Sequence, residues 1–385
     1  MANSMLTMQN IAREALPILE QQLVFPNLIN KDYSNDFVKK GDTIQVKRPA
    51  VYVADEFDGS AINLQDINPH PILVKMDTIA DVSVVVTSKE MTLKMHDFVN
   101  DVVNPAITAI AEKINQDGLN QYKLINSFVG VAGTTPDDLE DIANARGKLN
   151  NNKVPMSPRS GVWDADADTK LSIVDAIVNA EKSGSTEALR EGAIGKVQGI
   201  NNYMSQAVKT HTAGGYTALA DVTGTVDVSA VNATDATTGY KYTPVPLTSA
   251  AGTSTEKLLK GDLVVIGTSQ YVVIADTANA IAGVVTANLY PQLTADLSGD
   301  AVTFPDVSAG GHVANLAFHE KAFSFVSRPL EAPQSGVESY TTSYNGLTIR
   351  VTKGYNITSK KETISFDVLY GYATPYPELA TRILG

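Results

Sequence analysis

Five histidines, His70, His96, His211, His312 and His319, are the side chains of this 385-residue sequence best suited to hold a metal or move a proton near neutral pH. Their spacing suggests neither job. The closest pair, His312 and His319, stands seven residues apart with no helical pattern to bring both rings to one face, so each histidine reads as structural. Asp164-Ala165-Asp166-Ala167-Asp168 resembles the first half of a calcium loop, but that pattern needs Gly where Thr169 stands and Glu where Asp175 stands. Three acids ahead of Leu171-Ser172-Ile173-Val174 read better as the charged start of a helix. Glu191-Gly192-Ala193-Ile194-Gly195-Lys196 has the wrong spacing for a phosphate loop, and no Gly-x-Ser-x-Gly elbow is present. The acidic pairs Asp55-Glu56 and Asp137-Asp138 stand at a loop and a helix start, where carboxylates face solvent. With no cysteine, thiolate nucleophiles, thiolate metal sites and disulfides are all excluded. The expectation is a chain with no catalytic, cofactor or metal residues, and not an enzyme.

The charge balance points the same way. A net charge of −12, with basic runs no longer than Lys39-Lys40, Lys47-Arg48 and Lys360-Lys361, argues against a direct grip on nucleic acid, which needs clustered Lys and Arg. Apolar residues make up 43% and charged residues 19%, a globular balance, and no apolar run is long enough to cross a bilayer. The start Met1-Ala2-Asn3-Ser4-Met5 lacks a secretory pattern, so synthesis in a cytoplasm is expected. The length predicts two or three compact units.

Any working surface must be positioned by the elements along the chain. Ile11, Ala15, Leu19 and Leu23 recur at helical spacing, with Pro17 as a kink or break, and the polar stretch from Asn27 to Asp36 suggests an arm lying apart from the body. Thr43-Ile44-Gln45-Val46-Lys47 alternates as a strand, as does Asp81 to Thr87. The roughly thirty residues between them, with Pro49, Gly59, Pro69 and Pro71, predict an extended two-stranded loop. Asn104 and Pro105 open a helix running to about Ile125, with Gly118 as its weak point. Thr135-Pro136 opens another, ending near Leu149. Residues 206 to 312 change character, with 17 threonines and 9 Asp plus Glu against 4 Lys plus Arg. Short runs at Thr225 to Val231, Leu263 to Ile266, Tyr271 to Ile274 and Gly283 to Leu289 predict a small antiparallel barrel or sandwich inserted into the surrounding domain. Denser alternation resumes from Leu316, best in Thr363 to Leu369.

Several short motifs occur in an order that resembles one family. They are Arg13-Glu14-Ala15-Leu16 with Leu23-Val24-Phe25, Thr87-Ser88-Lys89, Asp117-Gly118-Leu119, Asn315-Leu316-Ala317-Phe318-His319, Asp367-Val368-Leu369-Tyr370-Gly371 and Pro377-Glu378-Leu379-Ala380-Thr381-Arg382. The chain is similar to the major capsid proteins of tailed bacteriophages, specifically the P22-type podovirus coat proteins, firmly over 1–125 and 313–385 and loosely over the insertion. That resemblance implies an α+β, Hong Kong 97-like capsid fold with an inserted all-β domain. Its parts would be an N-terminal arm (1–36), an extended β-loop and peripheral domain with a long spine helix (37–127), an axial domain (128–207 and 312–385), and the insert (208–311). It implies a shell subunit forming hexamers and pentamers with itself, with a scaffolding protein and a portal protein as partners. DNA would be enclosed without sequence-specific binding, no membrane would be involved, and the virion would be assembled in a host bacterial cytoplasm. Arg13, Glu14, Lys47 and Arg48 are the candidates for intersubunit contacts. An encapsulin-like compartment shell and a β-rich surface-layer or adhesin protein are the alternatives.

Overall fold

The computed structural model describes residues 8–31, 43–48, 71–87, 99–184, 186–215, 233–236, 238–248, 256–281, 284–293, 302–306, 310–333, 337–358 and 361–385. Strand Lys361–Ala373 carries the best alternation in the sequence and organises the largest core. Ile364, Phe366, Val368 and Tyr370 project to one face, each no more than 1% exposed. Along one edge it pairs antiparallel with Thr78–Thr87, and along the other with Leu347–Asn356 and then Ser324–Arg328. Glu338–Tyr344 extends the sheet beyond Leu347–Asn356. In Thr78–Thr87, Ala80, Val82 and Val84 pack into the same core, while Ile79, Asp81, Ser83 and Val85 face out.

The covered face of this sheet receives two helices, α1 (Met8–Gln22) and α2 (Asn104–Leu119). Ile107, Ile110, Ala111 and Ile114 give α2 its buried stripe. Two tyrosines of the central strand bind it from below: Tyr372 Oη donates to the Ile114 carbonyl at 3.0 Å and Tyr370 Oη to Asp117 at 2.5 Å. The helix is about 24 Å long at 1.5 Å per residue. It begins at Asn104, as the sequence predicts, and ends earlier because a 3-10 turn, Asn120–Leu124, follows it; a π turn, Val99–Val103, precedes it. Asn104 therefore stands inside a helical run and caps nothing; its side chain donates to Asn100 Oδ1.

Helix α1 does not lie apart from the body. Ile11, Ala12, Ala15, Leu16 and Leu19 are buried against α2 and the outer strands, and the helix continues through Pro17, whose ring is on the exposed face. Asn115 fixes the chain as it leaves α1: its Oδ1 accepts from the Val24 and Phe25 amides, both at 3.2 Å, and its Nδ2 donates to the Gln22 carbonyl at 3.1 Å. Phe25 then meets Phe318 and Phe323 edge to face, with ring centres 5.4 and 5.3 Å away. Gly118 is what admits that ring, since a Cβ there would sit 2.5 Å from Phe25 Cδ1. The glycine read as a weak point is the contact that seats the arm.

A second sheet runs Phe128–Gly130, Ala380–Leu384, Gly311–His319, Arg159–Trp163, Ile200–Met204, Lys196–Val197, with Thr210–Thr212 paired to the start of Gly311–His319. Helix α3 (Leu139–Asn151) covers it with Ile142, Ala145 and Leu149. Asp138, rather than Thr135, caps α3 by accepting from the Leu139 amide at 2.6 Å. Asp164 caps Ala165–Ser172, as the acidic run predicts. The inserted region forms a six-stranded antiparallel sheet in the order Val302–Thr303, Leu263–Ile266, Ser269–Val273, Val284–Tyr290, Lys241–Thr248, Ala233–Thr234. It has a core of its own around Val245, Val264, Val273, Ala287 and Leu289. The expected strand at Thr225 to Val231 lies outside the described residues. Of the expected extended loop, strand Thr43–Lys47 is present, but its partner is Pro71–Lys75, a stretch the prolines disguised as loop; Pro71 sits at the strand's first position, where a missing amide proton is tolerated. Residues 49–70, between these two strands, lie outside the described residues.

Candidate functional site

The four residues expected at intersubunit contacts are scattered. Arg13 and Glu14 lie on the exposed face of α1, opposite its buried stripe. Lys47 stands opposite Pro71 in the two-stranded ribbon, and its side chain is outside the described residues. Arg48 is engaged within the chain: its guanidinium pairs with Glu378 and lies 5.1 Å over the Tyr376 ring. It ties the loop end of the ribbon to the carboxy-terminal segment.

Two polar constellations emerge that sequence spacing did not reveal. The first lies on the outer face of the long sheet. Register places Asp81 opposite Asp367 and Ser83 opposite Ser365. Ser365 donates to Asp81 at 2.5 Å, and Arg350 grips Asp367 through Nε at 3.0 Å and Nη2 at 2.6 Å. Burial, and after it the neighbouring Asp81, push the Asp367 carboxyl up, against the opposing pull of Arg350. Ile79 and Val85, each more than half exposed, flank this ladder. The face combines fixed charge with open apolar area, a pattern suited to contact with another surface.

The second constellation is buried. His211 on Thr210–Thr212 stands in register with His312 on Gly311–His319, so residues 101 apart in sequence bring their ring centres to 5.2 Å. Tyr122 from the 3-10 turn places its hydroxyl 2.9 Å from His211 Nδ1. On the other side of the ring, His211 Nε2 is 2.8 Å from Asp262 Oδ1 and 3.7 Å from Asp306 Oδ2. Backbone amides hold both acids: Gly214 at 3.1 Å and Leu259 at 2.8 Å donate to Asp262, and Leu263 at 3.0 Å donates to Asp306. Arg382, from the last strand, donates through Nη1 to the Gly261 carbonyl at 2.7 Å and lies 5.2 Å over the Tyr122 ring. None of these six side chains is more than 3% exposed.

Burial dominates the electrostatics. It pushes the Tyr122 hydroxyl up to about 12, lowers Arg382 to about 10, which leaves it charged, and lowers His312 to about 2, which leaves it neutral. His211, Asp262 and Asp306 are the one His and acid group among the described residues with donor atoms near enough, within 4.8 Å of one another, to hold an ion. Three features oppose a cation there. The guanidinium of Arg382 stands beside the acids, the carboxylates already accept backbone amides, and a recess of about 320 Å³ leading past His211 is lined by Lys123, Lys209 and Lys260. Reading histidines by spacing missed this cluster, because antiparallel pairing joins positions far apart in the chain.

Residues 260–385 match the family described as P22 coat protein, gene protein 5. No curated protein sequence gives a significant match. Among solved structures, the chain is similar to one from Mycobacterium phage Che8, with 14% identity over 94% of this chain and 90% of that one, at a TM-score of 0.53. Lower similarity, at a TM-score of 0.47, is found to the capsid structure of cyanophage P-SCSP1u, with 12% identity over 90% of this chain and 84% of that one. A virus-like particle from Pyrococcus furiosus gives 9% identity over 97% and 98% of the two chains, at a TM-score of 0.41. The carboxy-terminal third carries the coat-protein family signature, and the fold is the α+β capsid fold of the Hong Kong 97-like type that the sequence motifs implied.

Proposed function

We propose that this chain is the major capsid subunit of a tailed bacteriophage, assembling with copies of itself into an icosahedral head shell around double-stranded DNA. The observation that carries this reading is the coat-protein family match over 260–385, on a chain that shares its fold over nearly all its length with a phage protein. In this reading residues 1–36 act as an arm, 37–127 as extended loop and peripheral domain, 128–207 and 312–385 as axial domain, and 208–311 as the inserted domain. A scaffolding protein and a portal protein are its assembly partners, and assembly takes place in the host cytoplasm before the subunit resides in the virion. Arg13, Glu14 and Lys47 would contact neighbouring subunits, whereas Arg48 would act by holding the loop base. The net charge of −12 suits a wall that encloses DNA without binding it.

Electron microscopy of the purified protein, alone and co-expressed with a scaffolding protein, tests the proposal. Closed icosahedral particles are the expected result. A compact monomer that stays monomeric at every concentration and with every co-expressed partner overturns it.

A further inference from the structure

The buried junction lies where the inserted sheet leaves and rejoins the body. His211 and His312 stand on the outgoing and returning strands, Asp262 and Asp306 belong to the insert side, and Tyr122 and Arg382 belong to the body. Two carboxylates, Asp262 and Asp306, share a space closed to water with one permanently charged group, the Arg382 guanidinium, and two like charges buried side by side are costly. The hydrogen bonding is unfinished in the same place. Asp306 Oδ1, both ring nitrogens of His312, and Nε and Nη2 of Arg382 have no partner among the described residues. Unfilled acceptors and unfilled guanidinium donors share the space, so a metal ion would satisfy some of these groups and repel the rest.

We propose that this junction is a protonation-controlled latch: a single proton taken up by Asp306 relieves the repulsion between the two buried carboxylates and seats the insert on the body, and losing that proton loosens the seat. The groups facing Asp306 are Asp262 and the Leu263 amide from the insert, His211 from the outgoing strand and Arg382 from the last strand, while His312 packs against the His211 ring. Lys123, Lys209, Lys260 and Asp276 line the recess on the far side of His211. Burial, and after it the charge of Asp262, push Asp306 from its ordinary 3.8 up to about 6, against the pull of the Leu263 amide, His211 and Arg382. A carboxyl whose affinity for a proton rises on docking makes the docked state bind more protons than the undocked one between those two values. Docking therefore weakens as pH rises through that window and is weakest above it. His312, neutral throughout, takes no part in the titration.

Hydrogen exchange of the full-length protein at about pH 5 and about pH 8, corrected for intrinsic exchange and referenced to strand Lys361–Ala373, tests the latch. Protection in 210–214, 258–264, 302–306 and 311–314 is expected to be at least about tenfold greater at the lower pH. Asp306→Asn, which carries no charge at either pH, is expected to show equal protection at both. Wild-type protection that does not change with pH, or a pH response that survives Asp306→Asn, overturns the proposal. If Asp306→Asn does not fold, Asp262→Asn is judged by the same two criteria. Zinc or magnesium chloride that restores protection at about pH 8 also overturns it, by identifying the junction as a cation site.

Discussion

Asn115 shows how much one polar side chain can organise. Its three hydrogen bonds all go to the backbone between Gln22 and Phe25, at a point where the chain turns from α1 into the aromatic cluster. Asn115→Ala removes the acceptor for two amides and the donor for one carbonyl, so a loss of about 2–3 kcal/mol is expected. A urea titration checks it: the midpoint should fall while the slope stays unchanged. Gly371 is governed by space. A Cβ there would meet the Lys75 carbonyl oxygen at 2.1 Å, and that atom is backbone that cannot step aside. Gly371→Ala should cost about 3 kcal/mol in the same titration, because either the ribbon base or the central strand must shift. Neither role was legible in the sequence. An asparagine in a helical run and a glycine in a strand look ordinary until the partner element is known. The histidines misled for the same reason: His211 and His312 meet only through strand pairing, and spacing is informative only within one element.

Elements were read more reliably than their ends. Thr43–Lys47 and Leu263–Ile266 fall where alternation puts them, because period two with β-branched residues directly encodes a pleated surface. The failures lie at caps. Thr135-Pro136 and Asn104-Pro105 are good starting signals, and α2 does begin at Asn104, yet Asp138 caps α3 and a π turn leads into α2 so that Asn104 caps nothing, since packing decides which turn is taken up. Tertiary packing also overrode the polar stretch after α1 as evidence for a free arm, because five apolar residues on one face of that helix have a waiting surface on α2 and the sheet. Phe25 measures that docking. Its ring is fully buried and touches Phe318, Phe323 and the open side of Gly118, so Phe25→Ala should cost about 3–5 kcal/mol. The fall in thermal midpoint should come with faster proteolysis of the first thirty or so residues than of the body, because the lost anchor is the one that closes the arm.

At the scale of the whole molecule, the composition shift across residues 206 to 312 corresponds to a separate hydrophobic core, and that correspondence is testable. Val245, Val264, Ile266, Val273, Val285, Ala287 and Leu289 pack on one another rather than on the body, so residues 213–310 alone should fold and melt cooperatively in calorimetry. The body should not be indifferent to losing them. Thr212 and Gly311 are paired neighbours, so a short turn can rejoin the chain without strain on the sheet. The excision, however, removes Gln270, which both accepts from the Phe128 amide and donates to the Phe128 carbonyl, along with the Gly261 carbonyl that holds Arg382 and the Val272 and Ile274 side chains that cover Ile72 and Leu124. Arg382 and His211 would face water where they now face fixed partners. The excised body is therefore expected to fold with a lower midpoint and to form fewer closed particles in electron micrographs than the full chain. An excised body as stable as the intact protein would mean that the insert is carried by the shell fold without bracing it.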